Sequence, residues 1–160
     1  MLTAIYPGSF DPPTNGHINI IDRASRIFDK VEVVIAVNIN KSYFFTKEER
    51  YRLMSSIVKK YENVDVHLWE KLIVDFAKQV GAKVLLRGVR ALADFSHEFE
   101  LSMMNKELDS DIETLFIPTD PKYFVLRSSS IKEMAKLKGN ISGMVPPEVE
   151  EALFKKIHSS

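Results

Sequence analysis

Apolar residues along the chain fall into short blocks whose period switches back and forth between that of a strand and that of a helix. Leu2 to Tyr6 is an apolar run of strand length, and Ile18, Ile21, Ala24 and Phe28 follow it at helical spacing. Val31 to Val37 is nearly continuous and β-branched, as expected of a strand buried on both faces of a parallel sheet. Thr46-Lys47-Glu48-Glu49 has the spacing of a capping box and predicts a helix running to about Tyr61. Val64, Val66 and Leu68 alternate as a third strand. A helix from about Ile73 to Val80 stops at Gly81, a favourable residue just past a helix end. Lys83 to Leu86 predicts a fourth strand, delivering Arg87-Gly88-Val89-Arg90 at its C-terminal end, and Asp94 is placed to cap a long helix to about Leu108. Ile112 to Ile117 reads as a fifth strand, Thr119 to Arg127 as a loop, and Ser128 to Lys138 as a helix. A last helix, Glu148 to Ile157, starts at Pro146-Pro147, with glutamates at its front and Lys155-Lys156 at its back, as the helix dipole prefers.

Strands alternating with helices throughout predict an α/β domain: one doubly wound, Rossmann-like, five-stranded parallel sheet with helices on both faces, spanning residues 1–160 as a single domain. In such sheets ligands lie beyond the carboxyl ends of the strands. The polar residues after each strand should therefore form one site. The first connection, Tyr6 to His17, carries Pro7, Gly8, Pro12, Pro13 and Gly16, a density of punctuators that forces a shaped turn. A glycine after the strand lets a ligand approach the backbone, and a glycine at the helix start leaves amides to face an anion. Ser9 adds a hydroxyl and His17 an imidazole. Lys41 follows the second strand, Arg87 and Arg90 the fourth, and Arg127-Ser128-Ser129 the fifth. Cations and donors from four loops on one edge fit a polyphosphate, held by charge-assisted contacts.

Composition narrows the chemistry. Twenty-two Lys and Arg balance twenty-two Asp and Glu, which argues against a nucleic-acid surface. The absence of cysteine excludes disulfides, thiolate catalysis and zinc–thiolate sites. Met1-Leu2-Thr3 leads straight into the first strand, and no apolar run approaches membrane-spanning length; no signal peptide and no membrane partner are expected, and the expected location is the cytoplasm.

Gly8-Ser9-Phe10-Asp11-Pro12 with Thr14-Asn15-Gly16-His17 resembles the T/H-x-G-H signature of the nucleotidyltransferase superfamily. Arg87-Gly88-Val89-Arg90, then Ala93-Asp94-Phe95 and Glu98, with Phe45-Thr46-Lys47-Glu48-Glu49-Arg50, narrows the resemblance to the bacterial phosphopantetheine adenylyltransferase family, and it runs from the first strand to the final helix. The resemblance implies that ATP and 4′-phosphopantetheine give dephospho-coenzyme A and pyrophosphate by direct in-line attack. It implies His17 as transition-state stabiliser. Ser9, Lys41 and Arg87 would hold the phosphopantetheine phosphate, with Ile73 where pantetheine packs. The ATP positions would be Ser9, Phe10, His17, Gly88, Val89, Arg90, Glu98 and the run Tyr123, Phe124, Val125, Leu126, Arg127, Ser128 and Ser129. Mg²⁺ is implied as the companion of ATP, without an acidic cluster to cage it. Feedback binding of coenzyme A and a homohexamer are further implications of the resemblance.

The chain departs from the family pattern at three places: Ser96-His97 replaces the usual Glu-Tyr, Ser42 stands where a second lysine is common, and Arg127 replaces the first serine of a triple-serine turn. These put nucleotide affinity and feedback in question, not the transfer chemistry. His67, Trp69, His97, His158, Lys59-Lys60 and Lys155-Lys156 are read as packing or solvated residues. Phe44-Phe45 is read as core, with exposure near the substrate loop as the alternative. Two rival functions fit the same residues: a nucleotidyltransferase with another phosphorylated acceptor, such as nicotinate mononucleotide, and a nucleotide-binding module without catalysis. The Arg87–Arg90 block with Lys41 argues against the first, and His17 against the second.

Overall fold

The computed structural model describes residues 1–159. Five strands, β1 (Thr3–Gly8), β2 (Lys30–Ala36), β3 (Val64–Trp69), β4 (Val84–Val89) and β5 (Glu113–Pro118), form one parallel sheet in the order β3-β2-β1-β4-β5. Six α-helices join and flank them: α1 (Asn15–Ile27), α2 (Lys47–Val58), α3 (Ile73–Val80), α4 (Leu92–Leu108), α5 (Ser128–Lys136) and α6 (Pro147–His158). The predicted doubly wound architecture is the observed one. The strand order reverses between β1 and β4, and such a reversal opens a crevice at the carboxyl ends of those two strands.

Alternation along the strands sorts the core into two layers. Tyr6, Val33 and Leu86 face α1 and α2, packing on Ile20, Ile21, Ala24, Met54 and Val58. Ile5, Val34 and Leu85 face the opposite side, against Val74, Phe76 and Ala77 of α3. A third cluster joins α5 and α6 to α2 through Ile131, Ala135, Val149, Leu153, Ile57 and Phe45. That last packing carries the head of α5 to the same edge as the β1–α1 connection.

Several boundaries differ from the sequence reading for local reasons. The capping box at Thr46 is present, with Glu49 returning to the Thr46 amide, but α2 ends at Val58 rather than near Tyr61. Arg87 and Gly88 lie inside β4, which pairs with β5 up to Val89 and Pro118. Asp94 does not cap α4; the cap position is Ala91, and Asp94, one turn in, instead takes the Arg90 guanidinium at 3.1 Å. A single 3₁₀ turn, Pro121–Tyr123, occupies part of the loop after β5. Gly81 ends α3 in the left-handed region, φ 69°, as expected. Lys156, read from sequence as a solvated face, donates to Glu49 across the α2–α6 seam, and His67 meets the buried Glu32 at 2.7 Å. Trp69 packs edge-on against Phe76.

Candidate active site

The crevice at the β1/β4 reversal is a cavity of about 530 Å³. Its wall begins where β1 ends. The chain turns at Phe10, whose φ of 48° is in the left-handed region, and passes through a cis Asp11–Pro12 peptide. Gly8 makes this turn possible, because a Cβ there would lie 2.9 Å from the buried Phe10 ring. Phe10 stands edge-on between Tyr6 and His17, with ring centroids at 5.4 and 5.0 Å. The residue that looks most strained in the loop is thus the wedge that orients the imidazole.

His17 is placed by helix capping. Thr14 caps α1, its Oγ1 accepting from the His17 amide at 3.3 Å, and the Thr14 amide donates back to His17 Nδ1 at 3.0 Å. Histidine here does what glutamate or glutamine does in the usual capping box. Since Nδ1 is an acceptor, the proton of the neutral ring sits on Nε2. Burial, reinforced by Arg90 and Arg87, lowers the His17 pKa to about 4. The ring is therefore a neutral N–H donor at the cavity wall throughout the physiological range. Because the folded-state value lies below the unfolded one, this contribution to stability is complete above about pH 6.5 and is lost as pH falls towards 4. Nitrogen NMR of His17 is expected to give the Nε2–H tautomer with no titration between pH 8 and 5.5; a midpoint above 6 would remove the neutral donor.

The cations sort into two groups. Arg87 is held by Glu98 through two bonds, 2.5 and 2.7 Å, and also donates to the Pro7 carbonyl at 2.8 Å. Arg90 pairs with Asp94 and holds the Leu126 carbonyl at 2.9 Å, tying β4 to the turn before α5. Lys132 pairs with Asp11 at 3.2 Å. Lys41 and Arg127, both lining the cavity, have no carboxylate partner among the described residues. Lys41 donates to Ser9 Oγ at 3.4 Å. Arg127 is the residue before α5, and the Ser128 hydroxyl fixes that helix start by donating to the Pro12 carbonyl.

Most sequence-predicted positions meet at this cavity: Ser9, Phe10, His17, Lys41, Arg87, Gly88, Arg90, Glu98, Tyr123, Leu126, Arg127, Ser128 and Ser129. Ile73, Val89, Phe124 and Val125 are not among its lining residues. Ile73 packs on the α3 side of the sheet, and Phe124 and Val125 point largely to solvent. The anion-facing amides expected at the head of α1 are reduced to Gly16, since Asn15 donates to Met144 and His17 to Thr14. Lys132 escaped the sequence reading, and Asp11, quoted within the motif, was given no role. Asp11 is buried, accepts the amides of Phe44 and Phe45 at 2.8 Å each, and so ties the Lys41 connection to the β1–α1 loop. Phe45 is accordingly core, whereas Phe44 is only partly buried. An aspartate before a proline is a common turn residue, so its long-range bonds left no mark in the local pattern.

A cytidylyltransferase-like family model matches residues 5–134. The chain is 49% identical over 158 residues to a phosphopantetheine adenylyltransferase of Desulfitobacterium hafniense (strain Y51), covering 99% of this chain and 97% of that one. It is 51% identical over 156 residues to the phosphopantetheine adenylyltransferase of Clostridium tetani, covering 98% of both. The chain belongs to the phosphopantetheine adenylyltransferase family. Among solved structures, a Vibrio parahaemolyticus protein provisionally described as a nicotinate-nucleotide adenylyltransferase superposes with a TM-score of 0.71, covering 99% of this chain and 96% of that one. At 19% identity that likeness is one of fold. No described helix is long and apolar enough to cross a membrane.

Against this family background, the resident acids do not make a metal cage. No three His, Cys, Asp or Glu come together among the described residues. Asp11, Asp94 and Glu98 are each already bonded to a cation of the cavity. The described acids therefore form no all-protein cage for Mg²⁺.

Proposed function

We propose that this chain transfers the adenylyl group of ATP to 4′-phosphopantetheine, giving dephospho-coenzyme A and pyrophosphate. The observation that carries the reading is the layout of the cavity. A neutral N–H donor, His17, lines the same crevice as two cations without a carboxylate partner among the described residues, Lys41 beside Ser9 and Arg127 at the head of α5. A reaction between two phosphate esters calls for cations to hold both and a donor for the charge that shifts in the transition state.

An oxygen of the acceptor phosphate attacks the α-phosphorus of ATP, and the bond from that phosphorus to the bridging oxygen of pyrophosphate breaks. The nucleophile is already an anion, so no base is required. Catalysis rests on alignment and on stabilising the charge that shifts to the α-phosphate oxygens. Ser9 and Lys41 hold the acceptor phosphate; Arg87 shares in this while bound to Glu98. His17 Nε2–H donates to an α-phosphate oxygen. The head of α5, where the first amides have no partner within the helix, receives the β and γ phosphates with Arg127. Mg²⁺ would come as the companion of ATP and lend charge neutralisation to its phosphates, with no acid of this cavity assigned to hold it. Purified protein with Mg·ATP and a panel of phosphorylated acceptors tests the reading: pyrophosphate release with 4′-phosphopantetheine is expected, and its absence, or preference for nicotinate mononucleotide, overturns it.

Arg127→Ser is expected to weaken ATP binding by about 1–2 kcal/mol, the order of one charge-assisted bond, with a larger loss at low ionic strength. Phosphopantetheine affinity should hold. Unchanged ATP affinity in low salt, read by calorimetry, would leave Arg127 in solvent.

The homohexamer expected from the family is supported by Leu92, Phe95, Phe99 and Met103, which line an exposed stripe of α4 at helical spacing, and by Leu115, about half exposed on the edge strand β5. Light scattering at micromolar concentration should give the hexamer, and a monomer would refute it. Coenzyme A feedback and a cytoplasmic location go with the same reading.

A further inference from the structure

One cation beside the cavity has no place in the mechanism above. Arg50, on the first turn of α2, is 1% exposed. Arginine is almost never so buried without an acid to pair with. Yet Arg50 has no ion pair among the described residues. One guanidinium nitrogen donates to the Ser9 carbonyl at 2.7 Å, the group stacks 3.9 Å from the Tyr43 ring centroid, and its buried Nε has no hydrogen-bond partner. The same Tyr43 ring carries a second cation, Lys41, at 5.7 Å. Tyr43 is itself anchored, its hydroxyl accepting from the Asn38 amide at 3.0 Å.

Arg50 thus lies behind the cavity wall and touches two of its supports: Ser9, a lining residue from the β1–α1 connection, and Tyr43, from the connection that brings Lys41 to the lining. Two positive charges converge on Ser9 with only a carbonyl, a hydroxyl and an aromatic face to answer them. The carboxylates Asp11, Asp94 and Glu98 are engaged by Lys132, Arg90 and Arg87. A buried cation left in that state is unfavourable, and a bound anion relieves it.

We propose that Arg50 is a positioning residue of the acceptor subsite: it fixes Ser9 and the Lys41 connection, and its buried charge is balanced by the phosphate monoester that binds at Ser9 and Lys41. This rests on the adenylyl-transfer reading for the identity of the acceptor, but not for the anion itself. The chain thus supplies the cation, and the substrate its counter-charge. Removing it should harm phosphate binding far more than folding.

The test uses the full chain with Arg50→Met and Arg50→Lys. Expected for Arg50→Met is a rise of at least tenfold in KM for 4′-phosphopantetheine, with KM for ATP and kcat changed less than threefold, and with the apo protein's urea midpoint close to that of the parent. Arg50→Lys, which keeps the charge, should recover most of the lost affinity and stays informative if the methionine variant folds poorly. A second arm needs no turnover: inorganic phosphate at low salt should raise the melting temperature of the parent and of Arg50→Lys, but not of Arg50→Met. If the parent releases no pyrophosphate yet shows this pattern, the adenylyl-transfer reading fails and the role of Arg50 stands. Apo stability lost with phosphate affinity and the KM ratio intact would make Arg50 merely structural. A parent that phosphate does not stabilise would equally overturn the proposal.

Discussion

Replacing His17 with glutamine is expected to lower kcat by about two to three orders of magnitude while ATP affinity moves little. Glutamine is chosen because it can serve at the third position of a capping box, so the Thr14 amide keeps its acceptor and α1 its start. What it removes is a ring Nε2–H held by Phe10 and by the cap. Deleting one donor aimed at charge that develops in the transition state typically raises the barrier by roughly 2.7–4 kcal/mol. A donor that acted equally on bound substrate would change binding by as much as turnover. Steady-state rates beside calorimetric nucleotide affinity separate the cases, and equal losses in both would reduce His17 to a ground-state contact.

Asp11→Ala is expected to destabilise the fold by about 3–5 kcal/mol, the range for breaking a buried pair by removing one partner. The carboxylate serves Lys132 and two backbone amides from a different connection, and the Phe45 amide lies in the core. Alanine leaves all three without that acceptor, and the Phe45 amide is left unpaired in the core. Asn at the same position keeps one carbonyl oxygen, so it should lose distinctly less. Urea unfolding measures both, and a loss below about 1 kcal/mol for alanine would mean that the two loops are held together by other contacts. Because the Lys41 connection hangs on this aspartate, acceptor binding should weaken alongside stability.

Strand and helix order were legible because each element carries its own period. The β-branched run at β2, the capping box at Thr46 and the terminal glycine at Gly81 each act within one turn or one strand. The parallel sheet then follows from alternation, and with it the edge on which Ser9, Lys41, Arg87, Arg90 and Arg127 had to gather. The motif residues gave the family as well.

Other features depend on partners far along the chain. Asp94 carries the chemistry of a cap, but Arg90 one turn back offers it a charge instead. Glu98 was assigned to ATP, and only the folded chain puts its carboxylate on Arg87, eleven residues away. Asp11 reaches amides 33 and 34 residues on, and Lys132 lies 121 residues from it. Arg50 bonds a carbonyl 41 residues back.

The sequence by itself determined the elements, their alternation and the sheet edge on which the candidate residues gather, because periodicity, caps and turn residues act over a few positions. The tertiary structure alone decided which cation is paired with a carboxylate and which is not, and which tautomer His17 holds. Those depend on burial and on partners brought together by the packing of α5 and α6 against α2 and by the β1/β4 reversal, distances that no local pattern encodes.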